Sequence, residues 1–200
     1  LALSTLREGP KVHTTAETAT VLVVDDERDV AELYSTWLAR EYDVLSAHDG
    51  TEALEAVDTS VDIVFLDRQM PEMSGDEVLA AIDDRGIDCR VVMVTAVDPG
   101  FDIIDMPFDD YITKPVTGSE LLETAESMLT RDSYDEQLQE YFSMASKKAA
   151  LESEKNPLEL DAHEEYRDVS QRVEELREQA DQTATEIDDF ESAFRDFPSG

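Results

Sequence analysis

Apolar and polar positions change period repeatedly along the chain. Short aliphatic and β-branched runs recur as VLVV at 21–24, DVLSA at 43–47, VDIVFL at 61–66, VVMVT at 91–95 and DDYIT at 109–113, each short enough for a strand. Between them apolar residues fall at helical spacing: Val30, Leu33, Tyr34, Trp37 and Leu38, then Ala53, Leu54 and Val57, then Val78, Leu79 and Ile82. Continuous apolar strands alternating with amphipathic helices predict a parallel sheet covered on both faces, which is a doubly wound α/β domain. Asp49 with Glu52 and Thr117 with Glu120 have the spacing of a helix cap and its reciprocal acid. Residues 97–110 hold Pro99, Gly100 and Pro107, leaving room for only a short helix, so the fourth crossover is expected to be irregular.

After Thr117 the strand pattern stops. Leu121, Leu122, Ala125, Met128 and Leu129 predict a last helix on the sheet over 119–130, and the remainder reads as purely helical. Residues 134–155 place Leu138, Phe142, Ala145 and Ala149 at spacings of four, three and four, and Asn156 with Pro157 then breaks the helix. Asp161 followed by Glu164 restarts it. A heptad seam follows through Tyr166, Val169, Val173, Leu176, Ala180, Thr183, Ile187, Phe190 and Phe194. That seam either folds back on 134–155 as an antiparallel hairpin or pairs with a second chain. The short turn at Pro157 favours the hairpin, and Ala180 and Thr183 would weaken a long two-chain zipper. The expected organisation is a tail over 1–19, an α/β domain over 20–130 and an all-α hairpin or coiled coil over 131–197.

Charge adds a second layer. The chain carries 49 Asp plus Glu against 16 Lys plus Arg, a net of −33. Such self-repulsion opposes folding in dilute buffer and is relieved when strong salt shortens the Debye length to about 3 Å at 1 M, so a salt-loving source is the simplest account. Regular periodicity in both halves argues against disorder, the other reading of such a charge. Cys89 is the only cysteine, which excludes an intrachain disulfide and a thiolate metal cluster; a buried, inert thiol at a strand edge is expected. No run of about 18 apolar residues and no signal-like start is present, so a cytoplasmic protein without a membrane partner is expected.

In an open parallel sheet, ligands bind beyond the carboxyl ends of the strands. Here those ends carry Asp25 and Asp26, then Asp67, then Thr95, then Lys114 followed by Pro115. Three carboxylates at one rim repel one another unless a cation neutralises them, and hard oxygen donors favour Mg²⁺. Asp67 can then attack a phosphoryl group in line while the metal and Lys114 draw charge from its oxygens. Asp26, Asp67 and the Gln69 backbone carbonyl would ligate the metal, with Asp25 acting through metal-bound water. Thr95 would hydrogen-bond the new phosphate, drawing its loop inward and vacating space for Tyr111.

VLVVDDE, FLDRQMPEMSG, VTA and ITKP, in this order, resemble the receiver domain of two-component response regulators over residues 20–130. The resemblance implies a flavodoxin-like five-stranded sheet in the order 2-1-3-4-5, with Asp25 and Asp26 as the acid pair and Asp67 as phosphoacceptor. It likewise makes Thr95 the switch hydroxyl, Tyr111 the switch aromatic and Lys114 the lysine. It also implies a histidine kinase as donor, slow dephosphorylation by water, and no enzyme activity beyond the chain's own phosphorylation and dephosphorylation. The short, proline-broken stretch before Asp109 departs from the family pattern. YDEQLQEYFSMASKKAALESEKNPLEL is similar to the HalX output domain of haloarchaeal regulators, sometimes described as similar to HoxA, which implies a role in transcriptional regulation.

Other readings stand beside this one. A constitutive coiled-coil adaptor could use the same fold as a docking platform, and a homodimer or another protein could engage the C-terminal helices. A metal-dependent phosphatase lacks a separate acid or base near Asp67. His163 in AHEEY reads as a solvated helix residue, since no ATP-binding glycine-rich segment exists, and His13 and His48 have no visible partner. DNA contact is not supported by charge: residues 119–200 hold 23 acids and 8 bases, a net of −15, and only Lys147 and Lys148 are adjacent bases.

Overall fold

The computed structural model describes residues 18–131 and 136–184, with side chains over 18–130 and 138–177. The tail up to residue 17, His13, and the seam positions Ala180, Thr183, Ile187, Phe190 and Phe194 lie outside the described side chains.

Five strands form: β1 (Thr20–Val24), β2 (Asp43–Ala47), β3 (Ile63–Leu66), β4 (Arg90–Thr95) and β5 (Asp110–Thr113). Every pairing is parallel and the order is β2-β1-β3-β4-β5, the doubly wound arrangement expected. Alternate strand residues point to opposite faces. Val21, Val23, Phe65 and Val92 face α1 (Arg28–Leu38) and α4 (Gly118–Arg131), meeting Ala31, Leu38, Leu121 and Met128. Leu22, Val64, Leu66 and Met93 face α2 (Gly50–Ala56) and α3 (Gly75–Arg85), meeting Ala53, Val78 and Ile82. One apolar assignment on α1 is corrected: Leu33 is 44% exposed, because the buried stripe runs through Ala31, Tyr34 and Leu38.

Both expected caps form. Asp49 accepts from the Glu52 N–H, and Thr117 and Glu120 bond reciprocally. A capping box that the sequence reading did not pick out, Ser74 with Glu77, starts α3. Cys89 is half-buried just before β4.

The fourth crossover is a single 3₁₀ helix, Phe101–Asp105. The sheet face beside β4 and β5 therefore lacks a helix from its own crossover, and the C-terminal helices cover it instead: α5 (Glu136–Glu154), α6 (Pro157–Ala162) and α7 (Glu164–Ala184). Leu151, Leu160, Tyr166 and Val169 enter the same buried cluster as Met93, Ile103, Phe108 and Tyr111. At about 1.5–3 kcal/mol per large apolar side chain, these few residues join the two parts into one core.

Within the hairpin α5 and α7 run antiparallel. Arg172 pairs with Glu140 at 2.8 and 2.9 Å at one end, and the Tyr166 hydroxyl donates to Glu152 at 2.6 Å toward the other. Tyr141, Phe142, Ala145 and Leu176 form one buried cluster across the two helices, so the seam from Tyr166 to Leu176 is used within the chain. Two local expectations are corrected. Ala149 is exposed, because α5 serves both α7 and the receiver-like sheet, and Leu151 turns inward instead. Asp161 does not start the last helix: Asn156 caps α6 with Pro157 at its first turn, Asp161 lies inside α6, and α7 begins after an extended His163. Among the described residues no helix is long and apolar enough to cross a membrane.

Candidate functional site

Parallel pairing places every strand's carboxyl end on one rim, and the ladder continues one step past the strands to fix the residues there. The Asp25 N–H donates to the Ala47 carbonyl at 3.2 Å, Asp67 to Val24 at 2.9 Å and Lys114 to Thr95 at 2.8 Å. The backbones of the acids and the lysine are thus held before any side-chain contact is made.

Asp25, Asp26 and Asp67 each offer a carboxylate oxygen, all within 4.8 Å of one another. Lys114 Nζ bridges two of them, 2.7 Å from Asp25 Oδ2 and 2.6 Å from Asp67 Oδ2. Asp25 and Asp67 are buried while Asp26 is partly exposed, so the group opens outward on the Asp26 side. The second oxygens are held by backbone: Glu27 N–H donates to Asp25 Oδ1 at 3.0 Å and Gln69 N–H to Asp67 Oδ1 at 3.1 Å. An open cleft of about 740 Å³ begins at this rim, with Asp26, Arg68, Gln69 and Val97 in its wall.

Burial pushes the Asp25 carboxyl above its ordinary value; the Lys114 hydrogen bond and charge oppose the rise and the Asp67 charge adds to it. Burial alone would lower Lys114, but its hydrogen bonds to Asp25 and Asp67 outweigh this and raise it. The ammonium therefore does not offset the burial of Asp25. A hard divalent cation fits the donor set, which is all oxygen and faces an open side.

Thr95 is fully buried and accepts from the Val97 N–H at 3.2 Å. Tyr111 is only 8% exposed, and its hydroxyl donates to the Val97 carbonyl at 2.6 Å. Burial raises its pKa, with Arg68 opposing. The sequence expectation has Tyr111 turning in after the loop moves; here it is already inside, satisfied by Val97 and packed at 5.8 Å from Phe108. Asp25, Asp26, Asp67, Gln69 and Lys114 thus share one rim, with Thr95 and Tyr111 joined to it through Val97. His48 and His163 are elsewhere: His163 stacks on Phe101 at 3.5 Å.

Two residues of this region escape a reading by strand ends. Gly75 lies so close that a Cβ there would meet the Asp67 carbonyl oxygen at 2.2 Å, which lets the α3 start close over the acid. Arg68 pairs with Asp76 at 3.0 Å and with Asp102. The Asp76 partner lies eight residues along the chain, near enough for charge spacing to suggest it; the Asp102 partner lies 34 positions away, where no local pattern points to it.

The chain is similar to known proteins. The response regulator receiver domain matches residues 21–126, and the HalX domain matches residues 130–195. A Haloferax volcanii protein with a provisional transcriptional-regulator name is 45% identical over 172 residues, 86% of this chain and 29% of that protein. The transcriptional regulatory protein CpxR of Escherichia coli K12 is 34% identical over 123 residues, 60% of this chain and 53% of its own. The chain thus spans under a third of the first relative's length and about half of the second's. Among solved structures, the signal receiver domain of a Vibrio parahaemolyticus protein provisionally named a LuxO repressor superposes with a TM-score of 0.54 at 26% identity, covering 58% of this chain and 93% of that one. The chain belongs to the response regulator receiver family, with a HalX domain following the receiver.

Proposed function

We propose that Asp67 accepts a phosphoryl group from the phosphohistidine of a sensor kinase, and that the chain relays this event to its helical hairpin in a cytoplasmic gene-regulatory pathway. The observation that carries the reading is the Lys114 ammonium 2.6 Å from Asp67 Oδ2 and 2.7 Å from Asp25 Oδ2, beside a third carboxylate on the open side.

A carboxylate oxygen of Asp67 forms the new bond to phosphorus as the bond to the donor imidazole breaks and the imidazole leaves with the electron pair. Lys114 offers its protons to the phosphoryl oxygens as their charge develops. Asp26, Asp67 and the Gln69 carbonyl would hold Mg²⁺, with Asp25 acting through metal-bound water, and the ion would supply positive charge against the phosphoryl oxygens. The Thr95 hydroxyl would leave the Val97 N–H for the phosphate, and that change reaches Tyr111 because both residues hold Val97. The only chemistry proposed is the chain's own phosphorylation and its reversal by water.

The test is incubation of the full chain with Mg²⁺ and acetyl phosphate in molar salt, read by intact mass. One phosphate should add to the native protein and none to Asp67→Asn. Absence of an adduct on the native protein favours the constitutive adaptor. That second reading has less support, since Tyr166, Val169 and Leu176 of the seam are occupied within the chain.

A further inference from the structure

Arg68 directly follows Asp67, and its side chain is only 12% exposed. Nε and Nη2 grip both carboxylate oxygens of Asp76 in the first turn of α3, at 3.0 to 3.3 Å. Nη2 also donates to Asp102 in the 3₁₀ helix. The two acids are held differently: Asp76 is gripped at two oxygens, whereas Asp102 is held at one and is 58% exposed, open to competition from water and salt. The Asp102 arm is the one that can be given up.

That 3₁₀ helix is the seat of the hairpin. Its Phe101 ring stacks on His163 at the start of α7, and its Ile104 carbonyl accepts from Lys147 of α5 at 3.0 Å. Arg68 therefore connects the residue next to the acceptor acid with the segment on which the output helices rest. This route leaves the acid through Arg68 and Asp102, and it meets the Thr95–Val97 route only at Tyr111, which interacts with Arg68 and donates to Val97.

We propose that Arg68 is a positioning residue that trades the Asp102 carboxylate for a phosphoryl group on Asp67, and that this trade loosens the 3₁₀ helix and the hairpin seated on it. The inference rests on the phosphoacceptor reading of Asp67 and deepens it. A phosphoryl group presents strong acceptor oxygens and more charge than one carboxylate, and a guanidinium binds such groups through two parallel N–H donors. Arg68, Asp26 and Asp102 line the same open cleft, and Asp26 offers a carboxylate oxygen within 4.8 Å of one on Asp67, so a group growing outward from Asp67 on the Asp26 side enters the cleft that Arg68 lines. Asp76 keeps the arginine anchored during the trade. The phosphoryl group acts only through its stronger hold on the released arginine, which is the differential affinity a switch requires.

The experiment follows the full chain in molar salt with Mg²⁺, with and without acetyl phosphate. Intact mass reports phosphate uptake, and amide hydrogen exchange reports residues 101–105 and 143–151, with β3 as internal control. In the native protein the donor should speed exchange in both segments about two- to fivefold, the loss expected of one partly exposed ion pair. Asp102→Asn should show that faster exchange before the donor is added, take up phosphate as the native protein does, and respond little further. Asp102→Glu should restore the donor-dependent change. The proposal is overturned if Asp102→Asn keeps the full donor-dependent increment, since the ion pair is then merely structural. It is equally overturned if the native protein takes up phosphate and neither segment responds. A native protein that takes up no phosphate at all overturns the phosphoacceptor reading itself, and the arginine trade with it.

Discussion

The Lys147 ammonium stands 5.1 Å from the centre of the Phe108 ring, joining the C-terminal helix α5 to the residue that leads into β5. The same Nζ donates to the Ile104 carbonyl at 3.0 Å, and the side chain is only 5% exposed. A buried lysine at this seam is costly unless both contacts form, so it reports on docking. Lys147→Ala should lower the unfolding free energy by about 1–3 kcal/mol. Lys147→Met should cost less, because it keeps the aliphatic stem and discards a buried charge. Chemical denaturation in molar salt gives the order.

The same lysine sets a pH dependence. Burial holds its pKa below the ordinary 10.5, with the Asp105 and Asp109 charges opposing. The folded state therefore binds this proton more weakly than the unfolded state does. The charge costs stability while the pH is below the folded value, and the cost fades as pH rises toward 10.5. Denaturation midpoints should shift in favour of the native protein relative to Lys147→Met between neutral pH and about 10.

Leu151 is fully buried between the hairpin and the sheet. Leu151→Ala should cost about 2–5 kcal/mol. Because both parts share that core, Trp37 fluorescence from α1 and far-ultraviolet circular dichroism should report one coincident transition that moves as a whole. Two separated transitions in the native protein would show that the hairpin is not part of the receiver's core.

Gly75→Ala places a Cβ 2.2 Å from the Asp67 carbonyl oxygen and 2.9 Å from Arg68 Cα, both backbone atoms that no rotamer change can clear. The loop carrying Asp67 must shift. Stability should fall by about 1–3 kcal/mol, and phosphate uptake from acetyl phosphate should slow, read by timed intact-mass measurements. Uptake at the native rate would mean that the loop absorbs the methyl without moving the acid.

Mg²⁺ should stabilise the native chain by about 2.7 kcal/mol at a hundredfold excess over its dissociation constant. Asp26→Asn should show a smaller gain, since that carboxylate faces the open side of the acid group. Thermal unfolding with and without the ion, at constant ionic strength, separates specific binding from screening.

How far the molecule was legible depends on the range of the information. The five strands, the helices between them and the caps at Asp49 and Thr117 follow from residues within a few positions of each other, where period and capping chemistry act. The gathering of Asp25, Asp67 and Lys114 also followed, because parallel connection sends all carboxyl ends to one rim. Period alone misplaced Leu33 and Ala149, since a helix stripe does not say which neighbour it will meet.

What the sequence by itself determined is therefore the set of elements and the chemistry at their ends, both fixed by local conformational preference and by the sidedness of a parallel sheet. Tertiary packing alone decided that the C-terminal hairpin covers the face that the broken fourth crossover leaves bare. The contacts that do so, Lys147 to Ile104 across 43 positions and Ser143 to Phe108 across 35, obey no sequence period. They form because apolar area on β4 and β5 must be covered by something, and which segment covers it is settled by shape and hydrogen-bond partners in three dimensions.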